Sequence, residues 1–271
     1  MKHPIITFLG LAVLASNSLV TPAFGTIIYT TDSTGGFGKV DTTTGAYTQI
    51  ETNILSGHEP HSLTSDGVGG FYTEGDNRLY AVDPFGVASM IGAVSLPRMY
   101  GMSRSSSGTI YGYDFDEDEL GTVNTTTSRW TPIGSSNFST GSPVGGRLAF
   151  NNGTLYGALD LNVSSDRGRF GSFNLDTGKF SVIASDAIYE SMVLASDGAT
   201  LYGLSGNSLY TLNPLNGTLG TPLDIIGAGD SPMWTGAASE LTAVPEPTTL
   251  LSTLALISSG LLLRRRTKHP R

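Results

Sequence analysis

RLYAVDPFGVASMIG, residues 78–92, reads as an apolar strand, an aspartate, a turn with proline and glycine, and a second strand. The same order returns in GFGKVDTTTGAYTQI (36–50), ELGTVNTTTSRWTPIG (119–134), RFGSFNLDTGKFSVI (169–183) and SLYTLNPLNGTLGTPL (208–223). With Asp41, Asp83, Asn124, Asp176 and Asn213 as anchors, the spacings are 42, 41, 52 and 37 residues. An Asp or Asn with glycine close behind is hairpin chemistry. The short side chain bonds its own backbone, and glycine accepts a positive φ.

A second series precedes most of these units: HSLTSDG (61–67), YGMSRSSSG (100–108), GRLAFNNG (146–153) and SMVLASDG (191–198). Each runs through a turn into a strand such as FYTEG, TIYGY, TLYGA or TLYGL. One unit is then four short strands in about 43 residues, the size of a β-propeller blade. The first unit, opening at Thr26-Ile27-Ile28-Tyr29, lacks its innermost strand, and WTGAASEL (234–241) resembles the missing one. Closure of the ring by that segment would remove the exposed sheet edges. The expectation is an all-β chain with a five-bladed propeller over residues 26–243, its N- and C-terminal strands paired. A β-sandwich or an irregular β-solenoid is the competing arrangement. The repeats also resemble those of secreted bacterial propellers with LY-x-hydrophobic-D-x-x-T-G units, a pattern many unrelated propellers share.

Composition narrows the chemistry. Charged residues are 14% of the 271, and there are 35 glycines, which suits a turn-rich β protein. Cysteine is absent, which excludes disulfides, a thiol nucleophile and thiolate zinc sites. Residues 26–243 hold 9 Lys and Arg against 22 Asp and Glu, a net charge of −13. That argues against nucleic acid, whose phosphates need basic patches.

Both ends read as addresses. Residues 1–25, MKHPIITFLGLAVLASNSLVTPAFG, have a positive start at Lys2, an apolar stretch and small residues at a cleavage position, the pattern of a secretory signal peptide. At the other end, Thr248–Leu263 is 16 residues without a charge, about 24 Å as a helix. Such a helix is slightly short of the hydrocarbon layer, and flanking arginines can snorkel to extend it. The positive-inside rule keeps Arg264, Arg265 and Arg266 cytoplasmic, with the body across the inner membrane. The order Val244-Pro245-Glu246-Pro247, apolar helix, basic cluster resembles the PEP-CTERM sorting signal of Gram-negative bacteria. That resemblance covers about 28 residues. It implies exosortase, a membrane-embedded transpeptidase-like enzyme, as a partner, with Pro245, Glu246 and Pro247 as the recognition element. It also implies a surface or matrix protein made alongside exopolysaccharide and open to Ser/Thr glycosylation. Physically, two prolines keep this segment extended and accessible at the membrane surface.

The body offers few chemical signatures. His58 and His61 in GHEPH flank Glu59, but Pro60 forbids the helical metalloprotease arrangement, leaving a weak metal pair or a polar loop. Asp114, Asp116 and Asp118 in DFDEDE could offer oxygens to Ca²⁺, yet the run lacks the EF-hand glycine and bidentate acid. Asp160 and Asp166 are a weaker set. Trp130 and Trp234 could stack sugars or serve the core. No catalytic pair of carboxylates, nucleophile elbow or phosphate loop is legible. The expected function is that of an exported, surface-sorted, non-enzymatic binding or matrix-structural protein, delivered by the secretion machinery and signal peptidase. A secreted enzyme acting on polysaccharide from the propeller channel is the alternative. A tail kept as a permanent anchor is a third possibility.

Overall fold

A computed structural model describes residues 25–92, 94–137, 143–161, 168–230 and 232–239. Blade one holds β1 (Ile27–Asp32), β2 (Phe37–Asp41) and β3 (Tyr47–Glu51). Blade two is β4 (Thr64–Ser65), β5 (Phe71–Gly75), β6 (Arg78–Val82) and β7 (Ala88–Ile91). Blade three is β8 (Met99–Arg104), β9 (Ile110–Asp114), β10 (Glu119–Asn124) and β11 (Arg129–Ser135). Blade four is β12 (Pro143–Asn151), β13 (Thr154–Leu161), β14 (Arg169–Phe173) and β15 (Phe180–Ser185). Blade five is β16 (Val193–Ser196), β17 (Leu201–Ser205), β18 (Ser208–Leu212) and β19 (Leu223–Asp224). Strand β20 (Trp234–Ser239) lies antiparallel to β1, with Ile28 opposite Ser239, and completes blade one as a four-stranded sheet. The chain is a five-bladed β-propeller, and among the described residues its only helical segment is the 3₁₀ turn Ala187–Glu190.

Five apolar clusters hold the ring, one between each pair of neighbouring blades. Strand alternation sends Ile28 into the cluster with Val193, Leu204 and Trp234 of the closing interface. The next residue, Tyr29, goes the other way, to Phe37, Leu63 and Phe71 between blades one and two. Leu79, Met99 and Ile110 fill the second interface, Tyr113, Leu120 and Leu155 the third, and Phe170, Leu194 and Leu201 the fourth. The outermost strands β3, β7 and β15 carry no fully buried residue, while β16 and β20 are buried throughout.

The repeated Asp/Asn anchors act through Asx turns. Asp41 accepts the N–H groups of Thr43 (2.8 Å) and Thr44 (3.0 Å), and Asp83 those of Phe85 and Val87 (2.9 Å each). Asn124 accepts those of Thr126 and Thr127. The Thr43 and then the Thr44 N–H hold the Asp41 carboxyl below its ordinary pKa. In blade four the anchor is Asn174 rather than Asp176. Asn174 accepts from the N–H of Asp176 and Thr177, 3.0 Å each, and follows Phe173, the last residue of its strand. Asp176 is merely the donor inside that turn, and the corrected spacings are 42, 41, 50 and 39 residues.

These turns do a second job. Each leans on the end of the preceding blade's outer strand. Gly45 sits against Asp224, Gly86 against Glu51, and Gly217 against Ala184. Ser128 donates to the Val94 carbonyl at 2.9 Å, and Phe180 N–H to that of Ser136 at 3.0 Å. At the closing interface the turn makes a short parallel bridge to Ile226, whose N–H donates to the Gly45 carbonyl at 2.9 Å.

Candidate functional site: the channel cavity

The innermost strands β4, β8, β12, β16 and β20 surround the axis. At mid-height, Leu63, Met102, Leu148, Leu194 and Ala237 form an apolar waist, one residue from each blade. Towards the ends of these strands, where they turn into their hairpins, the channel opens into a cavity of about 540 Å³. That lies within the range of small-molecule sites. Above the waist, around Tyr100, Arg147 and Thr235, only about 10 Å³ is free, room for about one water. Among the described residues the channel is therefore a cup, wide at the hairpin end and narrow beyond the waist.

Hydroxyls line the cup because β4, β16 and β20 end on serine and β8 carries Ser103 one residue before its end. Some of them bind neighbouring strands together. Ser103 accepts the Phe150 N–H at 2.9 Å, Ser196 donates to Asn151 Oδ1 at 2.9 Å, and Ser239 donates to the Ser196 carbonyl. Ser65 accepts the Gly67 N–H at 3.1 Å, and Ser105 and Ser107 share a bond of 2.9 Å. The Asn152-Gly153 turn joins β12 to β13 with both φ positive, a type I′ hairpin, and reaches the rim. Tyr111 and Phe150 pair at 5.3 Å on the wall. Arg104 is the single charged side chain lining the cavity, and no carboxylate or imidazole does so among the described residues.

The sequence candidates lie on the other face and stay apart. His58 is exposed, 3.7 Å from Asp76. His61 is mostly covered and its Nδ1 lies 3.0 Å from Glu74 Oε2. Glu74, fully buried, also accepts the Asn77 N–H at 2.7 Å. His61 stacks on Tyr100 (4.9 Å), which in turn meets Phe115 (4.9 Å) in the acidic run. Asp114 accepts the N–H groups of Asp116 and Glu117, and burial raises its pKa although those bonds oppose the rise. Asp118 binds Tyr113 and Ser136 through its side chain, while Asp116 is exposed. Among the described residues no three His, Asp or Glu side chains gather where a metal could sit. Trp234 is a core residue that donates to the Gly206 carbonyl at 2.8 Å, and Trp130 lies across Gly121. Asp166 and the terminal segments with Pro245, Glu246, Pro247, Arg264, Arg265 and Arg266 lie outside the described residues. So does the proposed membrane helix.

No family model matches the chain, and no curated protein does. Solved structures match through the fold. A symmetrical protein studied for its de novo evolutionary emergence is 17% identical with a TM-score of 0.54, over 80% of this chain and 99% of that one. A chain of the nidogen/laminin complex is 12% identical with a TM-score of 0.56, over 80% and 99%. Virginiamycin B lyase from Staphylococcus aureus is 13% identical with a TM-score of 0.45, over 75% and 68%.

Proposed function

We propose that this chain is an exported, surface-sorted binding module whose ligand sits in the channel cup, and whose tail is handled by an exosortase. The observation that carries the binding half is a channel cavity of small-molecule size, walled by serines and one arginine. Among the described residues the lining holds no carboxylate or imidazole, which suits recognition better than acid–base hydrolysis, a reaction that wants a positioned pair of such groups. The sorting half rests on the two terminal segments: a signal-peptide pattern, and Pro245-Glu246-Pro247 ahead of an apolar stretch and Arg264–Arg266.

Two measurements test it. Intact mass of the native protein, from membranes and from the medium, should show loss of residues 1–25 and of everything beyond Pro245–Pro247. Mass above that value would report glycosylation. A membrane-only species retaining Arg264 to Arg271 would make the tail a plain anchor. For the binding half, Ser106→Trp places a ring at the exposed rim of the cup and should abolish retention on the host's exopolysaccharide. Unchanged retention would sink the cavity as the site.

A second reading, a secreted enzyme, draws on His61. A buried Glu74 bonded to Nδ1 orients the imidazole as catalytic bases are oriented. His61→Ala should then remove any turnover while leaving ligand in the cup unaffected.

A further inference from the structure

The cavity carries an unsatisfied set of donors, and their chemistry names a ligand. Arg104 closes β8 at the cup wall, half-buried, and its side chain makes no hydrogen bond or ion pair among the described residues. Its guanidinium packs against two hairpin turns. It lies against Gly67, where a Cβ would stand 2.5 Å from its central carbon, and beside Gly108, where one would stand 3.2 Å from a terminal nitrogen. Partial burial of an unpaired cation is costly unless an anion joins it. The surrounding body is strongly acidic, so Arg104 is not part of a basic patch built for long-range attraction. It is a single fork presented to a cavity.

Two buried hydroxyls line the same cavity. Ser65 and Ser103 each accept a backbone N–H, from Gly67 and Phe150. A serine hydroxyl has one proton to give as well as two lone pairs. Neither serine donates that proton to any described residue, and both line the cup. The ring pair Tyr111–Phe150 supplies an apolar wall. A planar fork recognises a carboxylate through two parallel N–H···O bonds, and hydroxyl donors recognise sugar oxygens.

Resting on the reading of the cup as a binding site, we propose that it takes a hydroxylated carboxylate, the chemistry of a uronic acid, with the carboxylate on Arg104 and ring oxygens on Ser65 and Ser103. The acid could arrive free or as a residue of an acidic polysaccharide.

Calorimetric titration of the purified full chain tests this with D-glucuronate, D-glucose, acetate and a polyuronate. Glucuronate should bind about ten- to a hundredfold more tightly than glucose or acetate, since charge-assisted bonds are at stake. Arg104→Gln should bring glucuronate to the glucose level with an unchanged circular dichroism spectrum. Arg104→Lys, which keeps the charge without the fork, should fall between and guards against a folding defect in the first variant. Tighter binding of polyuronate than glucuronate, both lost in Arg104→Gln, marks the polymer as the source, and equal affinities mark the free acid. If glucose binds as well as glucuronate, or Arg104→Gln binds like the parent, the ligand assignment is overturned while the cup remains a binding site. If none of the four binds, the assignment is overturned, and retention on the host's exopolysaccharide then decides whether the binding reading falls too.

Discussion

The ring should fail first where the chain closes it, and Trp234 is the residue through which to see this. It sits on β20, 4% exposed, packed on Ile28, Val193 and Leu204. Its ring meets Tyr47 at 5.6 Å, and its Nε1 donates to the Gly206 carbonyl at 2.8 Å. It therefore holds blade one to blade five from both sides. Truncating a fully buried aromatic costs about 3–5 kcal/mol, against a typical total stability of about 5–15. Trp234→Ala should cost about 4 kcal/mol, which at an m-value of about 2.5 kcal/mol per M lowers the urea midpoint by about 1.5 M. Trp130 is the internal control. It is half-buried across Gly121 within blade three, away from the closure, and its alanine variant should cost about 2 kcal/mol. Trp234→Phe keeps a ring against Tyr47 but loses the hydrogen bond, for about 1 kcal/mol. Urea unfolding followed by far-ultraviolet circular dichroism reads all three. A Trp234→Ala midpoint that moves no further than that of Trp130→Ala would refute the claim that closure dominates stability.

Other outcomes follow from the turns. Asn174→Ala should destabilise by about 1 kcal/mol, as loss of a local side-chain acceptor does, while Asp176→Ala should be nearly neutral; thermal melts of the pair read the difference. Gly45→Ala should cost about 2 kcal/mol or more, because Gly45 has φ +72° and its Cβ would run into the Asp224 carbonyl, and chemical unfolding would register it. Asp197 accepts from Thr200, Ala199, Thr26 and Tyr202. Burial alone would raise its pKa, but these bonds together hold it below the ordinary 3.8. A depressed folded pKa means stability that is complete above 3.8 and drains away as pH falls through the lowered value. The stability gap between the parent and Asp197→Asn should therefore be full at neutral pH and vanish in strong acid. A gap independent of pH would show the carboxylate charge to be irrelevant there.

The ring was legible in the sequence because its signal is repeated. Five turn anchors, the second strands and the orphan WTGAAS segment all report the same period, and β20 is where that period requires it. The one slip, Asp176 for Asn174, has a plain cause. Asn174-Leu175-Asp176 offers two turn-forming residues two apart, and only pairing of Phe173 with Phe180 decides which ends the strand. The cup was not legible. Ser65, Ser103, Arg104, Ser196 and Ser239 were all visible as residues of inner strands, but their convergence needs four strands spread over residues 64–239 brought onto one axis. A serine near the end of four of the five inner strands was the available signal, and it looks like ordinary turn composition. Glu74 was hidden for another reason: nothing in FYTEG marks its carboxylate as the buried partner of His61.

Since Ile28 lies opposite Ser239 and every blade's turn rests on the blade before it, the ring has no intrinsic first blade. Circular permutation should be tolerated: a short linker from residue 239 to residue 26, with new termini opened between Ile91 and Met99, would rebuild the same circle. What would change is the seam. The break in covalent continuity would move from inside blade one, between β1 and β20, to the interface of Leu79, Met99 and Ile110, and with it the site where opening begins. The weakest joint is thus a property of connectivity, and the circle itself is indifferent to where the gene happens to cut it.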